Sequence, residues 1–221
     1  MNSIIETQDG SHTIYSQKYG VTYHSKYGAI QESKHVFISA GLYYKALESK
    51  TLSILEIGFG TGLNAFLTLL ESVDKDLSIQ YQAVEAFPLS LAQAKELNYP
   101  LLLQREDLRT AFLKLHEAEW DSWIEIRPNF SFKKLNSNFE ELDLPPSFDL
   151  IYFDAFAPSA QAELWEIPTL SIMYNALKEN GVWVSYCAKG SVKRNLKSLG
   201  FIVEAIPGPP GKREMTRAMK V

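Results

Sequence analysis

Residues 53–64, SILEIGFGTGLN, join an apolar run to three glycines on alternate positions. The run is nearly continuous, as is typical of a parallel strand covered on both faces; its members are Leu52, Ile54, Leu55 and Ile57. Glycines permit a sharp turn and leave no side chain between the strand end and a ligand. We therefore expect a strand, a turn at Gly58, Gly60 and Gly62, and then a helix, with a nucleotide-type pocket above the turn.

An acidic residue ends the next predicted strand, YQAVE (81–85). Glu85 lies 23 residues after Gly62, close to the separation of about 20 at which a carboxylate meets a ribose hydroxyl in a βαβ unit. The ligand is therefore expected to contain adenosine. The NAD fingerprint requires glycine where this chain has Leu63. Alternate glycines after an acid, Glu56 to Gly62, look like motif I of class I methyltransferases, so the spacing favours S-adenosylmethionine over NAD or a plain tight turn.

Composition and charge set the limits on function. The 221 residues are 46% hydrophobic and predict one domain, with a hairpin and helix extension over residues 1–50 and a methyltransferase core over residues 51–221. No targeting segment or membrane span is recognisable, so we expect a cytoplasmic protein without membrane contact. One cysteine excludes an intramolecular disulfide, and the four histidines lack metal-ligand spacing, so no metal is predicted.

The C-terminal part of the chain is basic although the net charge is −4. Residues 189–221 carry two acidic side chains and the basic residues Lys189, Lys193, Arg194, Lys197, Lys212, Arg213, Arg217 and Lys220. A polyanion could dock at this end. A solvated helix face and a charge-protected edge strand explain the same pattern, and composition alone slightly favours that second interpretation.

Hydrophobic periodicity predicts an α/β protein. The resemblance of the glycine turn to motif I implies a Rossmann-like class I methyltransferase fold with a seven-stranded, mostly parallel sheet and helices on both faces. A hairpin over residues 9–25 and a helix over residues 31–47 precede the sheet, and most of the aromatic residues of this extension are expected to pack rather than to form a wall of the site. The other predicted elements include helices over residues 63–73, 88–97 and 167–179, a helical insertion at 101–123, a strand or hairpin at 124–135, strands at 149–154 and 182–186, and a final antiparallel pair at 200–206 and 214–220. The insertion either packs against the sheet, which we favour, or forms part of a substrate groove.

The sequence DAFAP (154–158) follows the fourth predicted strand. A carboxylate at the carboxyl end of a central parallel strand, beside a glycine turn, lies in the crevice where α/β sheets bind ligands. If the methyl acceptor is an amine, Asp154 can accept its N–H bond and stabilise the positive charge that develops on nitrogen. Phe156 can stack on a base or contact the cationic donor. The alternative is that Asp154 caps a turn and Phe156 fills the core.

These considerations give two sets of candidate residues. Asn138, in the loop after the third strand, is the candidate for the adenine amino group, as expected of a methyltransferase. The predicted donor-binding residues are Glu56, Gly58, Phe59, Gly60, Gly62, Asn64, Glu85, Asn138 and Asp154. The predicted substrate-binding residues are Phe156, Pro158, Lys189, Lys212 and Arg213.

Motifs along nearly the whole chain resemble the methyltransferase domain of the bacterial MnmC family. They are DGSHT (9–13), YGAIQESKHVF (27–37), LEIGFGTGLN (55–64), VEAFPL (84–89), FDAFAP (153–158), ELW (163–165) and GKREM (211–215). The resemblance implies methylation of a tRNA wobble uridine, from 5-aminomethyl to 5-methylaminomethyl, with S-adenosylmethionine. It makes Asp154 the catalytic aspartate and gives Lys212, Arg213 and Glu214 an RNA-contact role. Asn138 departs from the expected aspartate.

The family's two-domain members continue into an FAD-dependent oxidase, and this sequence stops at Val221. We therefore expect a stand-alone methyltransferase without FAD, dependent on separate enzymes for its aminomethyl substrate. Two other functions stay open: a small-molecule amine methyltransferase, and a non-catalytic RNA-binding protein on the same fold. The intact glycine turn, Glu85 and Asp154 argue against the latter.

Overall fold

An N-terminal extension precedes the main sheet in this computed structural model, which describes residues 2–221. Strands β1 (Ser3–Glu6), β2 (His12–Ser16) and β3 (Val21–Thr22) form a small antiparallel sheet. The predicted hairpin is confirmed by the pairing of β2 with β3, and β1 is an additional strand. One helical segment follows, made of α1 (Ala29–Ser33), a π-helical stretch (Lys34–Leu42) and α2 (Tyr43–Ala46). The predicted helix is confirmed, but the π-helical conformation of its centre was not predicted.

The main sheet alternates with helices along the rest of the chain. Its elements are β4 (Thr51–Ile57), α3 (Leu63–Asp74), β5 (Ser78–Val84), α4 (Leu91–Glu96), α5 (Tyr99–Leu102), α6 (Arg109–Glu117), β6 (Ile124–Arg127), β7 (Phe130–Leu135), β8 (Phe148–Phe153), α7 (Ile167–Ala176), β9 (Leu177–Ser185), α8 (Gly190–Ser198), β10 (Ile202–Pro207) and β11 (Glu214–Met219). Short 3-10 turns lie at Glu106–Leu108, Phe139–Glu141 and Ala162–Trp165.

The sheet has eight strands in the order β10-β11-β9-β8-β4-β5-β7-β6. The five central strands are parallel, whereas β11 is antiparallel to both of its neighbours. The prediction of seven strands was one short, because residues 124–135 form a hairpin and β6 adds an antiparallel edge strand. The predicted mostly parallel α/β architecture and the final antiparallel pair are confirmed.

Two helix boundaries differ from the prediction. Helix α4 begins after Ser90, whose hydroxyl accepts from Gln93 N in a capping box, so Pro88 lies before the helix rather than in its first turn. Helix α7 ends at Ala176, because the buried Leu177 already belongs to β9 and pairs with Phe148. The helix predicted to reach residue 179 was therefore three residues too long.

The core consists of two hydrophobic clusters on opposite faces of the sheet. Ile54 of β4 belongs to the cluster that contains the N-terminal helical segment and α3, whereas Leu55 belongs to the cluster with α7 and α8. The alternation follows from the two-residue period of a strand. Ile14 and Phe37 of the extension are buried in the first cluster together with sheet residues, so the extension packs directly on the main sheet.

Candidate active site

Three neighbouring strands end at the same edge of the sheet. Gly58 follows β4, Glu85 follows β5 and Asp154 follows β8, and these strands are adjacent in the order β8-β4-β5. The ends are tied by the backbone: Asp154 N donates to Ile57 O at 2.9 Å, and Gly58 N donates to Val84 O at 3.0 Å. The fold thus brings the glycine turn and the two predicted acids together.

The turn requires glycine because a side chain at Gly58 or Gly60 would clash with neighbouring atoms. Gly58 has φ +90°, and a Cβ there would lie 2.7 Å from the backbone carbonyl oxygen of Asp154. Gly60 has φ +51°, and its Cβ would lie 2.9 Å from Cδ1 of Tyr23. Both φ values are in the region that other residues rarely adopt. The turn therefore allows the Asp154 loop and the N-terminal hairpin to approach the backbone closely.

Glu85 is hydrogen-bonded to the backbone of the glycine turn. Its Oε2 accepts from Gly60 N at 2.8 Å and its Oε1 accepts from Phe87 N at 2.7 Å. Burial raises the pKa of Glu85, and these backbone hydrogen bonds oppose the rise. A carboxylate has about four acceptor positions, so Glu85 can hold the turn and still accept hydroxyl groups from a ligand.

Asn64 connects the two carboxylates at the floor of the site. Its Nδ2 donates to Asp154 Oδ2 at 2.8 Å and to Glu56 Oε1 at 2.9 Å. Burial raises the pKa of Asp154 to about 7; the bond from Asn64 and the charge of Lys212 lower it, whereas Glu32 raises it. Burial, followed by the Asp154 charge, raises the pKa of Glu56 well above its usual value. Asp154 is thus a carboxyl group that titrates near neutrality.

An aromatic wall from the N-terminal extension closes one side of the site. The Phe156 ring lies 4.7 Å from the Tyr19 ring and 5.0 Å from the Tyr23 ring, between centroids. Gln161 Nε2 donates to the Tyr19 hydroxyl at 3.0 Å. Most of the extension's aromatic residues were expected to pack; Tyr19 and Tyr23 are exceptions, because they line the cavity. No spacing within a single sequence links this hairpin to the glycine turn.

The cavity above the turn has an empty volume of about 580 Å³ including its open mouth. Seven predicted site residues line it: Gly58, Phe59, Gly60, Asn64, Glu85, Asp154 and Phe156. The other lining residues include seven that were not among the predicted site residues: Tyr19, Tyr23, His24, Thr61, Phe87, Phe139 and Gln161. Glu56 lies beneath the cavity, bound to Asn64.

Besides Glu56, two predicted donor-binding residues, Gly62 and Asn138, lie outside the lining. Asn138 is exposed and donates to Glu141 Oε1 at 3.0 Å, so the structure does not bring it into the cavity, and its neighbour Phe139 lines the cavity instead. A Cβ on Gly62 would lie 2.8 Å from His116 Nε2 of α6. His116 also contacts the Thr61 carbonyl at 3.2 Å, so the predicted insertion packs against the turn.

A second concavity lies on the other side of the Asp154 loop. It is open to solvent and brings together the predicted substrate-binding residues Pro158, Lys189, Lys212 and Arg213. We call it the basic groove. Its remaining lining residues are Ala157, Tyr186, Cys187, Ala188 and Glu214. Because the cavity includes Asp154 to Phe156 and the groove includes Ala157 and Pro158, a single loop separates the two.

Within residues 2–221 no helix is long and apolar enough to cross a membrane. The same residues contain no group of three or more His, Cys, Asp or Glu side chains arranged to hold a metal ion.

The family comparison identifies the class of protein. A family model described as S-adenosyl-L-methionine-dependent methyltransferase matches residues 103–221, more than half of the chain. The match agrees with the parallel sheet, the glycine turn and the acid that follows the next strand. The chain is therefore an S-adenosylmethionine-dependent methyltransferase, which confirms the methyl donor that the glycine spacing favoured over NAD.

Similar proteins narrow the family. The crystal structure of MnmC2 from Aquifex aeolicus is 30% identical, with a TM-score of 0.77, and the match covers 99% of this chain and 69% of that one. The tRNA 5-methylaminomethyl-2-thiouridine biosynthesis bifunctional protein MnmC of Burkholderia multivorans is 29% identical over 92% of this chain, which spans about a third of that protein's length (33%). The chain belongs to the MnmC family of methyltransferases. Spermidine synthase from Thermotoga maritima, at 14% identity and a TM-score of 0.53, shares the fold alone.

Proposed function

We propose that this domain transfers a methyl group from S-adenosylmethionine to the primary amine of 5-aminomethyl-(2-thio)uridine at the tRNA wobble position, giving 5-methylaminomethyl-(2-thio)uridine. The observation that carries the proposal is the position of Asp154. Asp154 lines a donor-type cavity, and only the loop that begins at Asp154 separates this cavity from the basic groove. The names of the Aquifex and Burkholderia relatives support the RNA substrate.

The cavity has the polar groups that the donor requires. Asn64 Oδ1 is buried and lacks a hydrogen-bond partner, although Asn64 lines the cavity. Buried polar atoms are normally paired, so this oxygen fits the charged amino-acid end of a ligand. Glu85 fits the ribose hydroxyls, and the flat rings of Phe87 and Phe139 fit the adenine. When bound, S-adenosylmethionine supplies an electrophilic methyl group on sulfur.

Asp154 orients the acceptor. A primary amine attacks as the neutral base, so it must lose its extra proton before the carbon–nitrogen bond forms and the carbon–sulfur bond breaks. A carboxylate that titrates near pH 7 can accept a proton or an N–H hydrogen bond under ordinary conditions. It also stabilises the positive charge that develops on nitrogen, and the product ammonium then releases a proton to solvent.

The surroundings suit a base that is turned out of a single-stranded loop. Tyr19, Tyr23 and Phe156 provide aromatic faces beside Asp154, and proteins that bind single-stranded RNA stack bases on such faces. Lys189 and Arg213 are exposed in the basic groove, within one loop of the cavity, and can contact the flanking phosphates. The N-terminal extension and the main sheet therefore contribute residues to the same site. The reaction belongs in the cytoplasm and needs a separate activity that makes the aminomethyl group.

Transfer of a labelled methyl group tests the proposal. The acceptors are tRNA with 5-aminomethyl-2-thiouridine, the same tRNA without the modification, and a free polyamine. We expect label in the modified tRNA alone. Label in the polyamine alone would retain the donor and overturn the RNA substrate.

A further inference from the structure

Lys212 lines the basic groove, but its ammonium group is already held by the protein. Nζ lies 2.6 Å from Glu32 Oε2 and 3.9 Å from the centroid of the Tyr186 ring. The Glu32 side chain is 9% exposed and that of Lys212 is 33% exposed. A phosphate would have to compete with a buried carboxylate for this lysine, whereas Lys189 and Arg213 are exposed.

The two partners of Lys212, Glu32 and Tyr186, are each hydrogen-bonded to a segment beside the cavity. Glu32 Oε1 accepts from Ser25 N at 3.0 Å, and Ser25 directly follows His24, which lines the cavity. On the other side, the Tyr186 hydroxyl donates to the carbonyl oxygen of Ala155 at 2.8 Å, one residue beyond Asp154. Lys212 therefore joins the N-terminal wall to the Asp154 loop.

The loop that carries Lys212 has further contacts with the N-terminal segment. His35 Nε2 lies 2.8 Å from the Pro207 carbonyl oxygen. Gly211 packs against Tyr27 so closely that a Cβ would lie 2.5 Å from its ring. These contacts place the loop against residues 27–35 and bring Lys212 within reach of Glu32.

The pair also determines the charge around Asp154. The titratable groups that face Asp154 are Glu56 from β4, Glu32 from α1, Lys212 from the loop before β11, and the phenols of Tyr81, Tyr99 and Tyr186. Burial raises the pKa of each phenol, so these three stay neutral. Within this set Lys212 is the cation that offsets Glu32.

We propose that Lys212 is a positioning residue: its ion pair with Glu32 holds the N-terminal wall against the Asp154 loop and neutralises Glu32 beside the acceptor site. The expected effect of Lys212 on kcat rests on the proposed function, whereas its role in holding the N-terminal wall against the Asp154 loop does not. Lys189 and Arg213 keep the role of phosphate contacts.

Kinetics of the full chain separate the two roles. Lys212→Met should lower kcat with the modified tRNA and move the acid limb of the kcat–pH profile to higher pH by about one pH unit, since a nearby cation favours the carboxylate. Adding Glu32→Gln should move the limb back towards its wild-type position. Arg213→Met is the matched control and should raise KM with an unchanged limb. A KM increase like that of Arg213→Met, with no shift of the limb and no rescue by Glu32→Gln, would overturn the proposal.

Hydrogen exchange tests the structural part without RNA. Lys212→Met should speed exchange of the amides in residues 23–28, and Arg213→Met should leave them unchanged. Unaltered exchange in Lys212→Met would contradict the structural role of the Lys212–Glu32 pair even if the protein methylated tRNA. If Lys212→Met exchanged faster but the wild type failed to methylate tRNA, the structural role would stand and only the proposed function would be overturned.

Discussion

Asn64 donates to Asp154 Oδ2 at 2.8 Å through the same side-chain nitrogen that donates to Glu56 at 2.9 Å. One amide thus fixes the orientation of the carboxylate from below, on α3, while the cavity lies above it. The bond uses one oxygen of Asp154, and we expect the other to accept from the amine.

Asp154→Asn should lower kcat by about 10²-fold or more, because the amide neither takes a proton nor stabilises the developing charge. The donor affinity, measured by calorimetry, should change by less than about threefold, within the range of a lost peripheral contact. Asp149→Asn is a matched control at the opposite end of β8. A large loss of donor affinity in Asp154→Asn would move this residue from the acceptor site to the donor site.

The pH dependence should follow Asp154. Its pKa is raised to about 7, so the ionised form and the activity that needs it are present above pH 7 and are lost as the pH falls through 7. The kcat profile should therefore have an acid limb near pH 7. The residual activity of Asp154→Asn should lack that limb; an identical limb would assign the titration to another group, such as the substrate amine.

The same carboxylate should reduce stability at neutral pH. Between the unfolded pKa of 3.8 and the folded value of about 7, the folded state binds a proton that the unfolded state has lost, so stability falls as pH rises through this window. Asp154→Asn should consequently raise the free energy of unfolding by roughly 1–4 kcal/mol above pH 7 and by little below pH 4. Denaturant titrations at pH 4 and 8 check this, and an equal effect at both would exclude the titration.

Glu85→Gln should weaken donor binding by about 10- to 100-fold. Glutamine has one acceptor oxygen for the two N–H groups of Gly60 and Phe87, so the turn loses a charged partner and the ribose loses an acceptor. Calorimetry with S-adenosylhomocysteine measures the effect, with the exposed Glu96→Gln as control. Unchanged affinity would show that Glu85 serves only the turn.

Lys189→Met should raise KM for tRNA and make its dependence on salt shallower, because one phosphate contact contributes about one counterion to the slope. Donor affinity should not change. Lys197→Met is the control, since Lys197 is exposed on α8 and is not among the lining residues of the basic groove. Equal behaviour of the two variants would make the groove an ordinary solvated surface.

The strand ends could be predicted from the sequence because they depend on local patterns. Each of these three strands has a recognisable hydrophobic pattern and ends at a distinctive residue: Gly58, Glu85 or Asp154. The wall formed by Tyr19 and Tyr23 could not be predicted, because its position depends on how a distant hairpin packs on the sheet. Asn138 is adjacent to Phe139, whose side chain lines the cavity. This loop therefore lies at the cavity, but the direction of each of its side chains depends on a 3-10 turn.

The most direct measurement is mass spectrometry of the nucleosides released from tRNA with 5-aminomethyl-2-thiouridine after incubation with S-adenosylmethionine and the protein. We predict that the wild type adds one methyl group to the aminomethyl nitrogen of this nucleoside and that Asp154→Asn, folded and donor-bound, leaves it largely unmodified. An unchanged nucleoside with the wild type, or equal conversion by both proteins, would contradict the assignment of Asp154 to the acceptor amine.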